Sequence, residues 1–164
     1  MVPLVVKSPN HIDWHMRALL LELSLDPQEA FLLPYTHPGV FEPEPANCHF
    51  NVWLKMKIDG GGCLTGWILG QDKDRQFSEA QFHTVWLSEN DGPFDITPRI
   101  DDETLILFIP DENRQIKLSE HENRPAIITF DNVRLIGNIL HTPLLQEKRE
   151  LNTDFVQRHG LWPW

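Results

Sequence analysis

The stretch Ala46-Asn47-Cys48-His49-Phe50-Asn51-Val52-Trp53-Leu54-Lys55-Met56 decides how the rest of the chain is read. It follows the Pro-rich run Glu42-Pro43-Glu44-Pro45 and predicts a helix of about three turns that begins at the cysteine. The helix ends at Ile58-Asp59, because Gly60-Gly61-Gly62 neither continues it nor fixes one conformation. A triple glycine can cradle phosphate. No Lys-Ser/Thr pair follows this one, so it reads as a turn.

Downstream of the helix the hydrophobic period changes to two. Cys63 to Leu69 is a strand that ends in the polar loop Gly70 to Arg75. Gln81 to Ser88 is a second strand, with Gln81, His83, Val85 and Leu87 on one face. Asn90-Asp91-Gly92 turns the chain into a short third strand, Phe94 to Thr97. The apolar run Thr104 to Ile109 is a more buried strand. Ala126 to Phe130 and Val133 to Leu140 flank Asp131-Asn132, which reads as a hairpin turn.

Upstream, Ser8-Pro9-Asn10 marks a helix start, and Ile12, Met16, Leu19, Leu20 and Leu23 form its inward stripe. Asp26-Pro27 opens a shorter helix through about Leu33. Pro34 to Asn47 is a surface loop, and Asn152 to His159 is a last helix stopped by Gly160. Helices followed by sequential strands predict an α+β fold, with the Cys48 helix packed on a mainly antiparallel sheet. The expected layout is a single domain, 1–164: a helical part over about 8–47, a core over 47–98, and C-terminal strands and a helix over 99–164.

The bulk numbers narrow the classes. With 164 residues, 41% hydrophobic and 23% charged, the chain can bury a core of its own. A net charge of -10 argues against nucleic acid or an anionic membrane as partner and favours neutral or cationic substrates. No apolar run is long enough to span a membrane. Met1-Val2-Pro3-Leu4-Val5-Val6-Lys7 has no basic n-region or adequate h-region, so the cytoplasm is the expected location. Two cysteines, Cys48 and Cys63, are too few for a disulfide scaffold.

Cys48, His83 and Asp95 are the candidate catalytic residues. A thiol is a nucleophile only as thiolate, and a helix N-terminus favours the anion through unpaired N–H groups and the helix dipole. An imidazole can take the thiol proton and later deliver it to a leaving amine. A carboxylate on the imidazole's other nitrogen fixes its tautomer. If the strands around Asn90-Asp91-Gly92 pair with numbers summing to an even value near 180, Val85 opposes Asp95. His83 and Asp95 are then diagonal neighbours on one face, and an odd sum separates them.

The order Cys, His, Asp, with the cysteine opening a helix and the other two on short strands, resembles transglutaminase-like and papain-like cysteine hydrolases. Transglutaminase-like domains carry a His-x-Trp strand and an Asp-x-Thr strand. Here His83 precedes Trp86, and Asp95-Ile96-Thr97 matches directly. Gly60 to Gly62 and Gly66-Trp67 fall where the family crosses from helix to sheet. The match covers roughly 47–98. The chain departs from the pattern in Ala46, where the family usually has Gly, and in an aromatic residue one place farther from the histidine. The resemblance implies a thioester intermediate without a cofactor, in a peptidase, amidase, deamidase or transamidase acting on a protein, peptide or small amide. It leaves the oxyanion hole open, with the Cys48 N–H and the side chains of Asn47 and His37 as candidates.

Two other classes fit the residues. His37, Cys48, His49 and His83 are ligand types that zinc accepts, although adjacent helical residues diverge. Alternatively, Cys48 and His83 are packing residues of a catalytically silent binding domain. His11 and His15, one turn apart, read as a solvated helix face. Leu161-Trp162-Pro163-Trp164 is expected to fold back over the sheet or to enter a partner subunit through Trp162 and Trp164.

Overall fold

The computed structural model describes residues 3–141, 147–150 and 152–164, with the side chains of 147 and 148 left aside. Met1 and Val2, the start of the expected leaderless N-terminus, lie outside the described residues.

The first helix, α1 (Trp14–Glu22), begins later than Ser8-Pro9-Asn10 suggests. Lys7 instead pairs with Gln71 by two backbone bonds, N to O at 3.1 Å and O to N at 2.8 Å, which holds this segment extended. The cap is Asp13, whose carboxylate accepts from the Met16 N–H at 2.9 Å and from Gln71 Nε2 at 2.8 Å. The expected stripe is correct: Met16, Leu19, Leu20 and Leu23 are fully buried against Trp67, Leu69 and Phe82. His15 is not solvated. It is buried between Ser78 Oγ at 2.7 Å and the Gly137 carbonyl at 2.8 Å, while His11 lies before the helix.

Asp26-Pro27 opens only a 3₁₀ turn, Pro27–Glu29, and the chain then enters β1 (Phe31–Pro34) instead of a helix. Helix α2 (Cys48–Asp59) has the expected limits, with Gly60 at φ 73° closing it. The strands that follow are β2 (Gly62–Asp72), β3 (Phe77–Ser88), β4 (Gly92–Phe94), β5 (Leu105–Pro110), β6 (Lys117–His121), β7 (Arg124–Phe130), β8 (Val133–Ile136), β9 (Ile139–Leu140) and β10 (Glu147–Glu150). Helix α3 (Thr153–Arg158) ends the regular structure, capped by Asn152.

The fold is α+β, and every strand ladder among the described residues is antiparallel. One sheet runs β1-β5-β2-β3-β8-β9, with β4 also on β3; a smaller sheet runs β10-β7-β6. The expected hairpin at Asp131-Asn132 does not form. β7 pairs with β6 and β10, β8 pairs with β3, and Asp131-Asn132 carries the chain from one sheet to the other. At Gly66 a Cβ would stand 2.2 Å from the Ile109 carbonyl oxygen, so only glycine lets β2 and β5 approach. Among the described residues no helix is long and apolar enough to cross a membrane.

The placement of α2 follows from the pairing of β3. On the edge opposite β2, β3 pairs with β8 over Phe77–Ala80 and with β4 over Trp86–Ser88. Gln81 to Val85 has no strand on that edge among the described residues. Successive β3 side chains alternate between the two faces of the sheet. The first turn of α2 sits at this opening and meets both faces, with Cys48 against His83 and His49 against Thr84.

The outer side of α2 is covered by α3 and the tail: Phe50 and Leu54 cluster with Ile127, Phe155 and Val156. Trp164 stacks on Phe50 at 6.2 Å and meets Trp53 edge-on at 5.9 Å. The aromatic tail therefore folds onto the cysteine's helix and not over the main sheet.

Candidate active site

Cys48 is the first helical residue of α2, after Asn47 as N-cap. The Asn47 side chain makes no capping bond, so it leaves the orphan N–H groups of the first turn unoccupied. Its amide is committed elsewhere: Nδ2 donates to Asn51 Oδ1 at 3.2 Å, and Oδ1 accepts from Asn152 Nδ2 at 2.8 Å. Ala46, just before it, has φ 54°, in the left-handed region. That conformation costs an L-residue roughly 1–2 kcal/mol. Ala46→Gly should raise stability by about 0.5–1 kcal/mol, after subtracting glycine's larger unfolded-state entropy. Denaturant titration checks this; an unchanged or lower midpoint would show that the backbone there is not strained.

The register around Asn90-Asp91-Gly92 is the favourable one. Trp86 pairs with Phe94, Leu87 with Pro93 and Ser88 with Gly92, all summing to 180. The ladder stops at Phe94, and Asp95 leaves it to form a parallel bridge with Tyr35, its carbonyl accepting from the Thr36 N–H at 2.8 Å. His83 Nε2 donates to Asp95 Oδ1 at 2.9 Å, with both side chains almost fully buried. The Asp95 Oδ1 also accepts from the Thr97 N–H at 3.3 Å, while Oδ2 is buried with no hydrogen-bond partner. With Nε2 held by the carboxylate, Nδ1 is the ring nitrogen left for the nearby Cys48 thiol.

The electrostatics favour an ion pair. Burial pushes the Cys48 thiol up, but the imidazoles of His49 and His83 outweigh it by charge and hydrogen bonding and bring it down to about 5. Burial pulls His83 down, yet the Cys48 thiolate and the Asp95 carboxylate raise it to about 10. Thiolate and imidazolium therefore coexist across neutral pH. Cys63 is different: it is exposed on β2, not a buried packing residue, and partial burial of its sulfur raises its thiol.

Two contributors escape a reading of sequence. His49 lies beside the thiol, with Nδ1 against Thr84 Oγ1 at 2.5 Å and Nε2 against Thr129 Oγ1 at 3.3 Å. Its neighbouring number argued for divergence from Cys48. Helical side chains lean toward the N-terminus, though, so on the first turn the long ring passes back over the cap. Asn51, fully buried, ties the site together. Its Nδ2 donates to Thr97 Oγ1 at 3.1 Å and to the Glu44 carbonyl at 2.8 Å, and its Oδ1 accepts from the Glu44 N–H at 3.2 Å. The helix and the Asp-Ile-Thr segment are thereby fixed to each other. No local pattern marks Asn51, because Thr97 is 46 residues away in the chain.

The four-ligand zinc arrangement is not assembled. His37 pairs with Glu42 at 3.4 Å and lines a separate hollow with Lys55 and Trp86. Among the described residues no group of three or more His, Cys, Asp or Glu is placed to hold a metal ion. Neither His37 nor Asn47, the side chains expected as oxyanion donors, lines the cavity at Cys48. That cavity, about 510 Å³, also borders Gln81, Arg99 and Phe130 and is within the range of small-molecule sites. No family model, curated protein or solved structure matches the chain.

Proposed function

We propose that the protein is a cysteine-dependent amide hydrolase or acyl transferase with a transglutaminase-like core, acting through Cys48, His83 and Asp95. The observation that carries this is the buried 2.9 Å bond from His83 Nε2 to Asp95, with the other side of the ring turned to a thiol on a helix N-terminus beside a cavity.

The chemistry follows from the placement. The Cys48 thiolate attacks the carbonyl carbon of an amide, and the C–S bond forms as the carbonyl electrons move onto oxygen. The backbone N–H of Cys48, unpaired within the helix, is one donor to that oxyanion. The oxyanion collapses, the C–N bond breaks, and His83 Nδ1 gives its proton to the leaving amine. The thioester then passes its acyl group to water or an amine, whose proton returns to His83. Asp95 holds the ring and its charge throughout.

p-Nitrophenyl acetate is the test, because it acylates a competent thiolate without requiring the natural substrate. A burst of about one p-nitrophenolate per chain is expected, with acetyl found on the Cys48 peptide after an acid quench. The burst rate should rise near pH 5, where the thiolate forms, and should not fall when the imidazolium is lost, because p-nitrophenolate leaves without a proton. Acetyl on Cys63 alone, or no burst while Cys48 is folded and reduced, would refute the assignment.

A further inference from the structure

The cavity at Cys48 holds a cation that the acyl-transfer scheme does not use. Arg99 lines it together with Gln81, and Gln81 lies two residues before His83 on the same face of β3. Arg99 Nη1 donates to Gln81 Oε1 at 3.2 Å, which anchors the guanidinium beside the catalytic histidine. Its Nε is buried and makes no hydrogen bond. The nearest carboxylate paired with it, Asp101 Oδ1, stands at 3.6 Å, beyond hydrogen-bond distance, on a side chain that is 45% exposed.

The other acidic groups nearby do not satisfy Nε either. Arg99 also borders a small hollow with Glu79 and Glu103. Glu79 is bound to Arg134 at 2.5 Å, and Glu103 accepts from the Ser8 N–H at 2.9 Å. Glu150 is on the cavity wall and has a partner of its own.

We propose that Arg99, oriented by Gln81, forms a carboxylate-binding subsite, so that the protein takes amides bearing a free carboxylate about one residue from the scissile carbonyl. A planar guanidinium that uses Nη1 on Gln81 and leaves Nη2 without an acceptor among the described residues matches a carboxylate better than a neutral amide. The net charge of -10 does not oppose this at close range, because charges farther than about 8 Å are screened at physiological salt. The subsite rests on the nucleophile assignment of Cys48, and its test separates the two.

The probes are N-iodoacetylglycine and N-iodoacetylglycinamide, which share the alkylating carbon and differ only in the carboxylate. Cys48 should react with the acid about tenfold faster than with the amide, and Arg99→Gln should erase that preference while leaving the rate with the amide within about twofold. Arg99→Lys should keep part of the preference, as a charge without the planar fork. Independently of any variant, N-acetylglycine should protect Cys48 from iodoacetamide at millimolar concentrations, and N-acetylglycinamide should not. An acid-to-amide ratio unchanged by Arg99→Gln, or equal protection by the two acetyl compounds, would overturn the subsite and leave Arg99 as a strut for its loop. Failure of both reagents to label Cys48 would instead remove the nucleophile, and the subsite with it.

Discussion

His83→Ala will move the midpoint of Cys48 alkylation from near pH 5 to roughly 8, toward that of an ordinary thiol. The rate itself changes less than the ionisation does. At pH 6 the thiolate fraction falls about 90-fold, but a more basic thiolate is about 20-fold more nucleophilic, so labelling slows by only about fourfold. The pH profile is therefore the sharper readout, and iodoacetamide labelling followed by peptide mass mapping measures it. His49 stays beside the sulfur and keeps part of the depression. On the proposed mechanism turnover should suffer more, by about 10²–10⁴-fold, because His83 is the group that delivers a proton to the leaving amine. A midpoint that remains near 5 would assign the depression to His49 and the helix terminus. Equal, slow labelling of Cys48 and Cys63 in the folded wild type would remove the nucleophile altogether.

The second large effect is on stability. Asp95→Ala leaves the buried His83 Nε2 without its acceptor, and breaking a buried pair on one side costs about 3–5 kcal/mol. For a chain of this length that lowers Tm by roughly 10 °C, readable by calorimetry. Asp95→Asn keeps an acceptor for Nε2 and should unfold much nearer the wild type. It removes the charge that helps to raise His83, so the alkaline limb of amide turnover should move below pH 10. The Cys48 midpoint should shift less than in His83→Ala, because the imidazole is still present. An Asp95→Ala variant as stable as wild type would mean that the pair is not closed in solution.

The central hairpin was legible because its signals agree. Pro-rich entry, glycine exit and helical spacing bound α2 within a residue, and Asn90-Asp91-Gly92 sets the even register that brings His83 and Asp95 together. Where signals are short, tertiary pairing decides. Phe31-Leu32-Leu33 suits a helix or a strand by period, and β5 captures it as a strand. Val133 to Ile136 alternates like the partner of β7, yet Val133 and Leu135 are buried in the core with α1 and β3 instead. Long-range polar contacts leave no local pattern at all. His15 beside Ser78, Asn51 beside Thr97 and Arg99 beside Gln81 join residues far apart in the chain.

The crossing at Asp131-Asn132 separates what can vary from what cannot. Cys48, His83 and Asp95 are fixed by α2, β3 and the segment after β4 that bridges Tyr35, whereas Phe130, Asn132 and Glu150 on the cavity wall come from the smaller sheet and its exit. Thr129 is the exception, since it steadies His49. Phe130 also packs on Trp67 and Phe82, so a combinatorial library confined to Asn132 and Glu150 would redraw the shape offered to an acyl or amine group while the proposed reacting atoms keep their support. Selectivity in this architecture is free to drift, under selection or in the laboratory, faster than reactivity.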